Sequence, residues 1–197
     1  MEEVASAELD RAVRGSLTSL HEGLPPDWFG RERELVSHFC FGYLARFFLP
    51  DNPMLRDKIQ IGIEVAVKQT NHTGDKVRKR VVCKDVVIWP PQFTTVWDKK
   101  GTIVNTPVCV QEWKCITHSS KRRVNPETVL KHDMAWLKEF TLQNRGCVGF
   151  AVFADLTSRP IVIKCARFES GDVKEDWLVL PGGKSDDNCG EVGFASC

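Results

Sequence analysis

The sequence predicts an α/β fold in which a mixed β-sheet is flanked by helices. Apolar residues recur at helical spacing in residues 31–48 and again in residues 126–140, and three strand-like segments lie between these two helices. Further apolar strands follow the second helix, at residues 147–154 and 160–168. Because a helix is the usual crossover of a parallel pair and short turns join antiparallel strands, we expect both kinds of pairing in one sheet.

The composition is that of an ordinary globular protein with little net charge. Of 197 residues, 42% are hydrophobic and 27% are charged, which excludes disorder along the whole chain. Lysine and arginine number 27 against 26 aspartates and glutamates, so any affinity for nucleic acid must come from a local cluster. No apolar run is long enough to cross a membrane and the first residues are acidic, so we expect a cytoplasmic protein with no membrane partner.

The eight cysteines do not follow a metal-binding or redox spacing. No pair shows the C-x2-C or C-x4-C pattern. Most of them lie in or beside apolar segments, where a free thiol packs as a small hydrophobic group. We therefore expect reduced, structural cysteines, and this spacing disfavours a redox or metal-storage function.

An N-terminal helix and a polar C-terminal tail bracket the main domain. Residues 3–21 carry apolar side chains at helical spacing, and the Gly-Leu-Pro-Pro segment at 23–26 ends the pattern. The last stretch is polar and turn-forming, which is typical of a peripheral tail. We therefore divide the chain into a helix and linker at 1–26, a main domain at 27–181 and a tail at 182–197.

The main domain begins with an amphipathic helix at 31–48, which Pro50 ends. Glu32 and Glu34 stand in its first turns, where carboxylates favour the positive end of the helix dipole. Residues 59–68 then alternate strictly between apolar and other side chains, which predicts a half-buried strand. The apolar face of that strand is expected to consist of Ile59, Ile61, Ile63, Val65 and Val67.

Three charged residues interrupt the next two strands, at 78–89 and 108–116. Asp85 stands among valines and isoleucine, and Glu112 and Lys114 lie two residues apart, so that their side chains leave one face of the strand. If the two strands form one hairpin around the turn at 98–101, Asp85 lies opposite Lys114 and diagonal to Glu112. The sequence therefore predicts that two carboxylates and one ammonium group converge.

Such a cluster suits metal-assisted phosphodiester hydrolysis. Carboxylate oxygens hold Mg²⁺ while several water ligands remain. The metal polarises the phosphodiester and helps to lower the pKa of a water molecule, and a lysine can orient that water or stabilise charge on the phosphoryl oxygens. Glu34, in the preceding helix, is a candidate for a further carboxylate.

This pattern resembles the PD-(D/E)XK superfamily, the restriction endonuclease-like nucleases. The match consists of Asp85, a hairpin and then Glu112-Trp113-Lys114, in a helix, three strands, helix, strand order that spans about residues 31–168. It departs from the family's pattern at Lys84, which stands where proline often precedes the aspartate, and at Trp113, where an aliphatic residue is usual. The resemblance implies a restriction endonuclease-like α-β-β-β-α-β core.

The resemblance also implies a set of site residues and a cofactor. Asp85 and Glu112 would ligate Mg²⁺ or Mn²⁺, together with Glu34, and Asp85, Glu112 and Lys114 would be the catalytic residues. Asp133, on the helix after Glu-x-Lys, matches an accessory polar position found in some subfamilies. The implied activity is metal-dependent hydrolysis of phosphodiester bonds in DNA, with RNA as the less favoured substrate. The possibility that the protein forms a homodimer is left open.

A basic run follows the third strand directly. Lys121, Arg122 and Arg123 are consecutive and lie in the loop before the second helix of the main domain. Three cations beside a phosphodiester-cleaving site are expected to contact phosphates, although such a run is also typical of a solvated loop.

A non-catalytic interpretation of the same residues stays open. Glu-x-Lys occurs in many strands as part of a cross-strand ion pair, and a buried Asp85 to Lys114 pair would hold the hairpin in register. In that case the chain is a catalytically inactive nuclease-fold protein that binds nucleic acid or a protein partner. Divalent metal distinguishes the two interpretations, because only the active form requires it.

Overall fold

The computed structural model describes residues 2–25, 27–68, 81–117 and 126–181. Within these residues it contains three α-helices and a six-stranded sheet. The helices are α1 (Glu2–Gly23), α2 (Glu32–His38) and α3 (Pro126–Gln143). The strands are β1 (Ile61–Lys68), β2 (Val81–Ile88), β3 (Cys109–Ile116), β4 (Val148–Asp155), β5 (Val162–Glu169) and β6 (Asp172–Leu180).

The strands lie in the sheet in the same order as in the chain. β3 and β4 are parallel and are connected through α3, whereas every other neighbouring pair is antiparallel. β4 is buried along nearly its whole length, as expected for a strand covered on both faces. The α/β class and the mixed sheet are therefore confirmed.

Helices cover both faces of the sheet. α1 and α2 pack on one face, which receives Val148, Phe150 and Val152 from β4. α3 packs on the other face, which receives the alternate residues Ala151 and Phe153. We call these the α1–α2 face and the α3 face. Because successive side chains of a strand point to opposite sides, the apolar side chains of β4 between Val148 and Phe153 contribute alternately to two separate cores.

α1 is fixed to the far end of the sheet by side-chain contacts. Arg167 of β5 donates to Asp10 through Nε at 2.6 Å and to the Ser6 hydroxyl at 2.5 Å. Arg14 donates to the Trp177 carbonyl at 3.0 Å, and its guanidinium lies 4.5 Å from the centre of the Trp177 ring. The apolar residues of α1 belong to the core of the α1–α2 face, so this helix is one of its layers.

The helix predicted at 31–48 changes its hydrogen bonding part-way. α2 ends at His38, a π-helix follows at Phe39–Tyr43 and a 3-10 helix at Leu44–Phe47. The change keeps Phe39 and Leu44 buried, and the Phe39 ring lies 4.8 Å from the Trp113 ring of β3, centre to centre. Among the described residues, no helix combines the length and the apolar content required to cross a membrane.

β1 changes its buried face in the middle of the strand. Ile61 and Ile63 pack on the α1–α2 face, whereas Val67 is buried on the α3 face. Glu64, between them, has a φ of 52°, in the left-handed region that non-glycine residues rarely adopt. The expectation of one continuous apolar face from Ile59 to Val67 was therefore wrong, because the left-handed residue reverses the alternation; Ile59 lies in a short 3-10 helix and is exposed.

The pairing of β2 with β3 also differs from the predicted register. Val86 lies opposite Gln111 and Ile88 opposite Cys109, a shift of two residues from the pairing that would place Asp85 opposite Lys114. The reason is the long connection, in which Trp97 and Ile103 form an isolated bridge closed by hydrogen bonds to Asp98. That small turn is not continuous with the β2–β3 ladder, so the register cannot be counted outward from it.

The cysteines of the described residues are free thiols with very different surroundings. Cys83 is exposed, whereas Cys40, Cys147 and Cys165 are buried. Burial raises the pKa of Cys40 to about 12 and holds that of Cys147 well above its ordinary value. Cys189 and Cys197 lie outside the described residues.

We expect Cys83 to react with thiol reagents much faster than Cys40, Cys147 and Cys165, because Cys83 is exposed, whereas burial shields the other three thiols and raises the pKa of each. Brief alkylation of the folded protein, followed by peptide mass mapping, should modify Cys83 and leave Cys40, Cys147 and Cys165 largely unmodified. Labelling of Cys165 at the rate of Cys83 would contradict the buried position of β5.

Candidate functional site

The site lies where β2 and β3 separate. The last residue pair between them is Val86 with Gln111, and from there towards Ile116 the two strands diverge while β3 stays paired with β4. Alternate N–H groups of a strand point to opposite sides, so those of Trp113 and Cys115 face the gap that β2 leaves. A buried N–H without an acceptor is costly, and this gap therefore needs acceptors from outside the ladder.

Two carboxylates supply those acceptors. Asp85 Oδ2 accepts the N–H of Trp113 at 2.7 Å, and Glu32 Oε2, from the first turn of α2, accepts the N–H of Cys115 at 2.7 Å. Burial raises the pKa of Glu32 above its ordinary value, although the Cys115 N–H opposes the effect. The β2–β3 gap is thus lined by two acidic side chains from different elements.

Glu112 forms a buried ion pair with Lys84. The Lys84 ammonium contacts Glu112 Oε1, and the two side chains are only 7% and 6% exposed. Lys84 Nζ also lies 3.7 Å from the centre of the Trp136 ring of α3, within the range of a cation–π contact. The pair therefore lies on the α3 face, between the sheet and that helix.

Burial raises the pKa of Glu112 to about 7, although the charge and the hydrogen bond of Lys84 lower it. The negative charges of Asp85 and Asp133 add to the increase. Burial thus disfavours the ionised form of Glu112 by more than the ion pair with Lys84 favours it.

Lys114 lies beside the same carboxylates but has a different partner. Its ammonium group is 3.4 Å from Asp133 Oδ2 and donates to the Trp113 carbonyl at 2.9 Å. Burial lowers the pKa of Lys114, but the negative charge of Asp133 and of three further carboxylates outweighs that effect and holds the pKa above its ordinary value. Lys114 is therefore a cation at neutral pH, suited to donating hydrogen bonds and not to accepting a proton.

The structure thus brings together four of the residues singled out in the sequence. Asp85, Glu112, Lys114 and Asp133 interact with one another electrostatically at the β2–β3 gap. The ion pair that Lys114 makes is with Asp133, in contrast to the expected pairing of Asp85 with Lys114. The basic run at 121–123 lies outside the described residues.

Glu34 does not join this group, and Glu32 takes the place expected for it. The Glu34 carboxylate accepts the N–H of Arg31 at 2.6 Å and caps the start of α2. Consecutive helical residues are about 100° apart, so positions 32 and 34 point in nearly opposite directions. Leu35 and Val36 face the core, and Glu32, three and four residues before them, shares their side of the helix. This spacing was a signal in the sequence that could have distinguished the two glutamates.

Lys84 is the other residue that the sequence analysis did not assign to the site. It stands in an apolar strand beside Asp85, and a buried ammonium needs a partner. The need for a partner was visible in the sequence. In the predicted register, however, regular alternation along β2 and β3 places Lys84 and Glu112 on different faces of the sheet. The reversal at Glu64, which lies across from Asp85 in the β1–β2 register, removes that separation.

A small recess opens beside Asp85. It has a volume of about 30 Å³, enough for a water molecule, and lies between α2 and the middle of the β1–β2 pair. Arg33 and Glu64, on its rim, form an exposed ion pair at 2.5 Å. The recess is lined by Glu32, Arg33, Val36, Ile63, Glu64 and Asp85.

A roomier cavity of about 580 Å³ lies elsewhere, between α1 and the β5–β6 turn. Its acidic residues Asp10 and Glu169 both accept hydrogen bonds from Arg167. Asp10 and Glu169 are therefore part of the attachment of α1 to the sheet. The larger volume of this cavity does not make it the candidate functional site.

The chemistry of the group at the β2–β3 gap can be compared with metal centres. No group of three or more His, Cys, Asp or Glu side chains in the described part of the chain is arranged to hold a metal ion. Mg²⁺, however, is commonly bound through one or two carboxylates with waters and substrate phosphates completing its shell. Asp85 and Glu112 are two carboxylates, which is the type and number of protein ligands that this mode of Mg²⁺ binding requires.

Comparisons with known proteins give no relative for this chain: no protein-family model, curated protein or solved structure matches it.

The raised pKa of Glu112 predicts a specific dependence of stability on pH. Its pKa in the folded state, about 7, exceeds the ordinary value of 4.5, so the folded state binds the proton more tightly than the unfolded state. The Glu112 contribution to the free energy of unfolding must therefore fall as pH rises from about 4.5 to 7. Denaturant titrations near pH 6 and pH 8 should show that wild type gains more stability at the lower pH than Glu112→Gln does.

The Glu112→Gln variant serves as its own control for all other titrating groups, because it retains every one of them. Identical pH dependence in the two proteins would mean that Glu112 is ionised with an ordinary pKa.

Proposed function

We propose that this protein is a metal-dependent nuclease that hydrolyses phosphodiester bonds, with DNA as the substrate in preference to RNA. The observation that carries the proposal is the divergence of β2 and β3, which gathers acidic side chains and a lysine from α2, β2, β3 and α3 at one point of the sheet. Phosphodiester hydrolysis needs acidic ligands for a cation and a positive group near the phosphate, and both are present there.

The arrangement of the elements supports a restriction endonuclease-like core. α2, β1, β2, β3, α3 and β4 follow one another in the order helix, three strands, helix, strand. β2 is antiparallel to both of its neighbours, and β3 is parallel to β4 through the α3 crossover. α1, β5 and β6 would then be additions to that core.

The charge of the group favours a divalent cation. Glu32, Asp85, Glu112 and Asp133 contribute four negative charges when ionised, and Lys84 and Lys114 contribute two positive charges, so a net charge of minus two remains. Mg²⁺ or Mn²⁺ would be held by Asp85 and Glu112, and Glu32 takes the place first assigned to Glu34. A bound cation of this kind supplies Lewis-acid polarisation of the phosphodiester.

In this proposal, Lys114 contacts the substrate or the attacking water, and Asp133 positions Lys114. The ammonium group of Lys114 would donate to a phosphoryl oxygen or orient the attacking water, because its raised pKa keeps it charged. Asp133, 3.4 Å away on α3, positions that ammonium group. The Trp113 carbonyl fixes it from the strand side, so two contacts restrict where the charge can lie.

A second candidate function is supported by how fully the carboxylates are engaged. Glu112 is paired with Lys84, and Asp85 and Glu32 accept backbone N–H groups. These contacts would equally suit a catalytically inactive nuclease-fold protein that binds nucleic acid or a protein partner. Metal binding and cleavage decide between the two functions.

We expect the purified protein to nick or cleave DNA in the presence of Mg²⁺ or Mn²⁺, and EDTA to abolish the activity. Asp85→Asn and Glu112→Gln should each remove metal binding and cleavage together, since each deletes a ligand charge. Lys114→Met should reduce cleavage by at least about a hundredfold while metal binding persists, because an ammonium group is not a ligand. Plasmid cleavage assays and Mn²⁺ titrations followed by electron paramagnetic resonance measure the two properties separately.

Lys99→Met offers a matched control, since it removes an exposed lysine from the distant turn at 98–101 and should leave both properties unchanged. Cleavage by Asp85→Asn at the wild-type rate would show that the site lies elsewhere. Absence of metal binding and of cleavage of every DNA and RNA form would favour the non-catalytic function.

The basic run is predicted to contribute substrate affinity. Charge reversal of Lys121, Arg122 and Arg123 should weaken DNA binding and flatten its dependence on salt, because fewer counterions are released on binding. Cleavage at saturating DNA should change little. Fluorescence anisotropy of labelled DNA at several salt concentrations measures the slope, and an unchanged slope would show that these residues do not contact phosphates.

A further inference from the structure

We propose that Lys84 is a positioning residue that holds the carboxylate of Glu112 in place of a divalent cation and yields that position, by moving fully onto the Trp136 ring, when a cation binds. This inference rests on the proposed function, since it concerns the same metal ligands. It assigns to Lys84 a role in setting the metal affinity of the site.

The first support is the burial of the pair. Lys84 is 7% exposed and Glu112 is 6% exposed, so neither charge is solvated by bulk water. A buried ammonium group needs a partner that offsets the loss of water, and a carboxylate such as Glu112 is the strongest such partner. In the absence of another cation, the contact is therefore the favoured state of both groups.

The second support is how the backbone places Lys84 there. On the β1 side, Lys84 pairs with Val65, just beyond the reversal of faces at Glu64. On the β3 side, Lys84 lies past the last pair of the β2–β3 ladder and has no partner strand among the described residues. The side chain can consequently reach the α3 face across the β2–β3 gap. The divergence of β2 and β3 thus allows Asp85 to accept the N–H of Trp113, and it also allows Lys84 to contact Glu112.

The third support is that the ammonium group has a second partner already in contact. Lys84 Nζ is 3.7 Å from the centre of the Trp136 ring, which is itself buried and stacked on Phe140. A cation–π contact is strengthened by desolvation. Lys84 can therefore leave Glu112 without returning its charge to water, which distinguishes it from a purely structural ion-pair partner.

Competition between Lys84 and a cation follows from electrostatics. Both require the negative charge of Glu112, and two positive charges at one buried carboxylate repel each other. The free protein would then bind divalent metal weakly, and additional oxygen ligands from a substrate phosphate would strengthen the binding. Removal of Lys84 should remove this competition.

The test compares Mn²⁺ binding by wild type, Lys84→Met and Lys114→Met, measured by electron paramagnetic resonance without nucleic acid at pH 7.5 and pH 8.5. Lys84 lowers the pKa of Glu112, so its removal strengthens proton competition, and the gain in Mn²⁺ affinity of Lys84→Met should be larger at pH 8.5. Methionine keeps an unbranched chain against Trp136 and removes the charge. We expect Lys84→Met to lower the Kd for Mn²⁺ by about tenfold, a difference of about 1.4 kcal/mol. Lys114→Met, which removes the same charge from a lysine paired with Asp133, should lower it by clearly less.

The rise in Tm on addition of Mn²⁺ gives a second readout, which a purely structural role of Lys84 would not change. Lys84→Met should melt below wild type without metal, because Glu112 loses its partner, and Mn²⁺ should raise its Tm by more than it raises that of wild type. If Lys84→Met does not fold, Lys84→Gln retains a polar group near Glu112 and is measured in the same way, with the same expected direction.

The outcomes separate this inference from the proposed function. If wild type binds Mn²⁺ and the Lys84 variants bind it equally or more weakly, Lys84 does not compete for Glu112 and this inference is overturned, while the nuclease proposal stands. Equal gains in affinity for Lys84→Met and Lys114→Met would also overturn it, because the effect would then be general electrostatics. If no variant and no wild-type protein binds Mn²⁺, the proposed function fails and this inference fails with it.

Discussion

The end of the β2–β3 ladder at Val86 and Gln111 is the constraint on which the rest of the site depends. β3 remains hydrogen-bonded to β4 beyond that point, so its other edge presents N–H groups with no strand beside them. An apolar side chain cannot satisfy such groups, and only an acceptor from another element can. The carboxylates of Asp85 and Glu32 meet this need, which couples the stability of the sheet to the presence of acidic side chains.

The same constraint explains why the site is crowded with charge. Once two carboxylates occupy the gap, further acidic groups nearby raise one another's pKa unless cations lie among them. Lys84 and Lys114 provide such cations on the α3 face, the first with Glu112 and the second with Asp133. The carboxylates that satisfy the backbone of β3 therefore belong to the same group of side chains on which the proposed function rests.

Much of the fold followed from local patterns, because long segments with clear periodicity specify their own secondary structure. The helix and strand order up to β5 was predicted in this way, and the spacing of Glu112 and Lys114 placed both on one face correctly. β6 was not predicted, since the first half of this edge strand is exposed and polar and shows no alternation. The Ser170–Gly171 turn, with both residues at positive φ, was the available signal for the β5–β6 hairpin.

The parts that could not be predicted depend on contacts between distant segments. The left-handed conformation of Glu64 and the end of the β2–β3 ladder are both set by tertiary packing, and each changes which face a charged residue reaches. Lys84 belongs to the site only because of them. Periodicity assumes that a strand keeps one face throughout, and it fails where a site interrupts that regularity.

The attachment of α1 to β5 and β6 has a consequence for the order in which the protein can assemble. The contacts of Ser6, Asp10 and Arg14 are with Arg167 and Trp177, more than 150 residues later in the chain. The apolar residues of α1 can pack early on the nearby segment 39–47, which belongs to the same core, whereas the polar contacts of α1 can form only after β5 and β6 have been synthesised. Such distant contacts slow folding because a long loop must close first. Attachment of α1 to β5 and β6 is thus expected to be a late step of folding, later than its packing on residues 39–47.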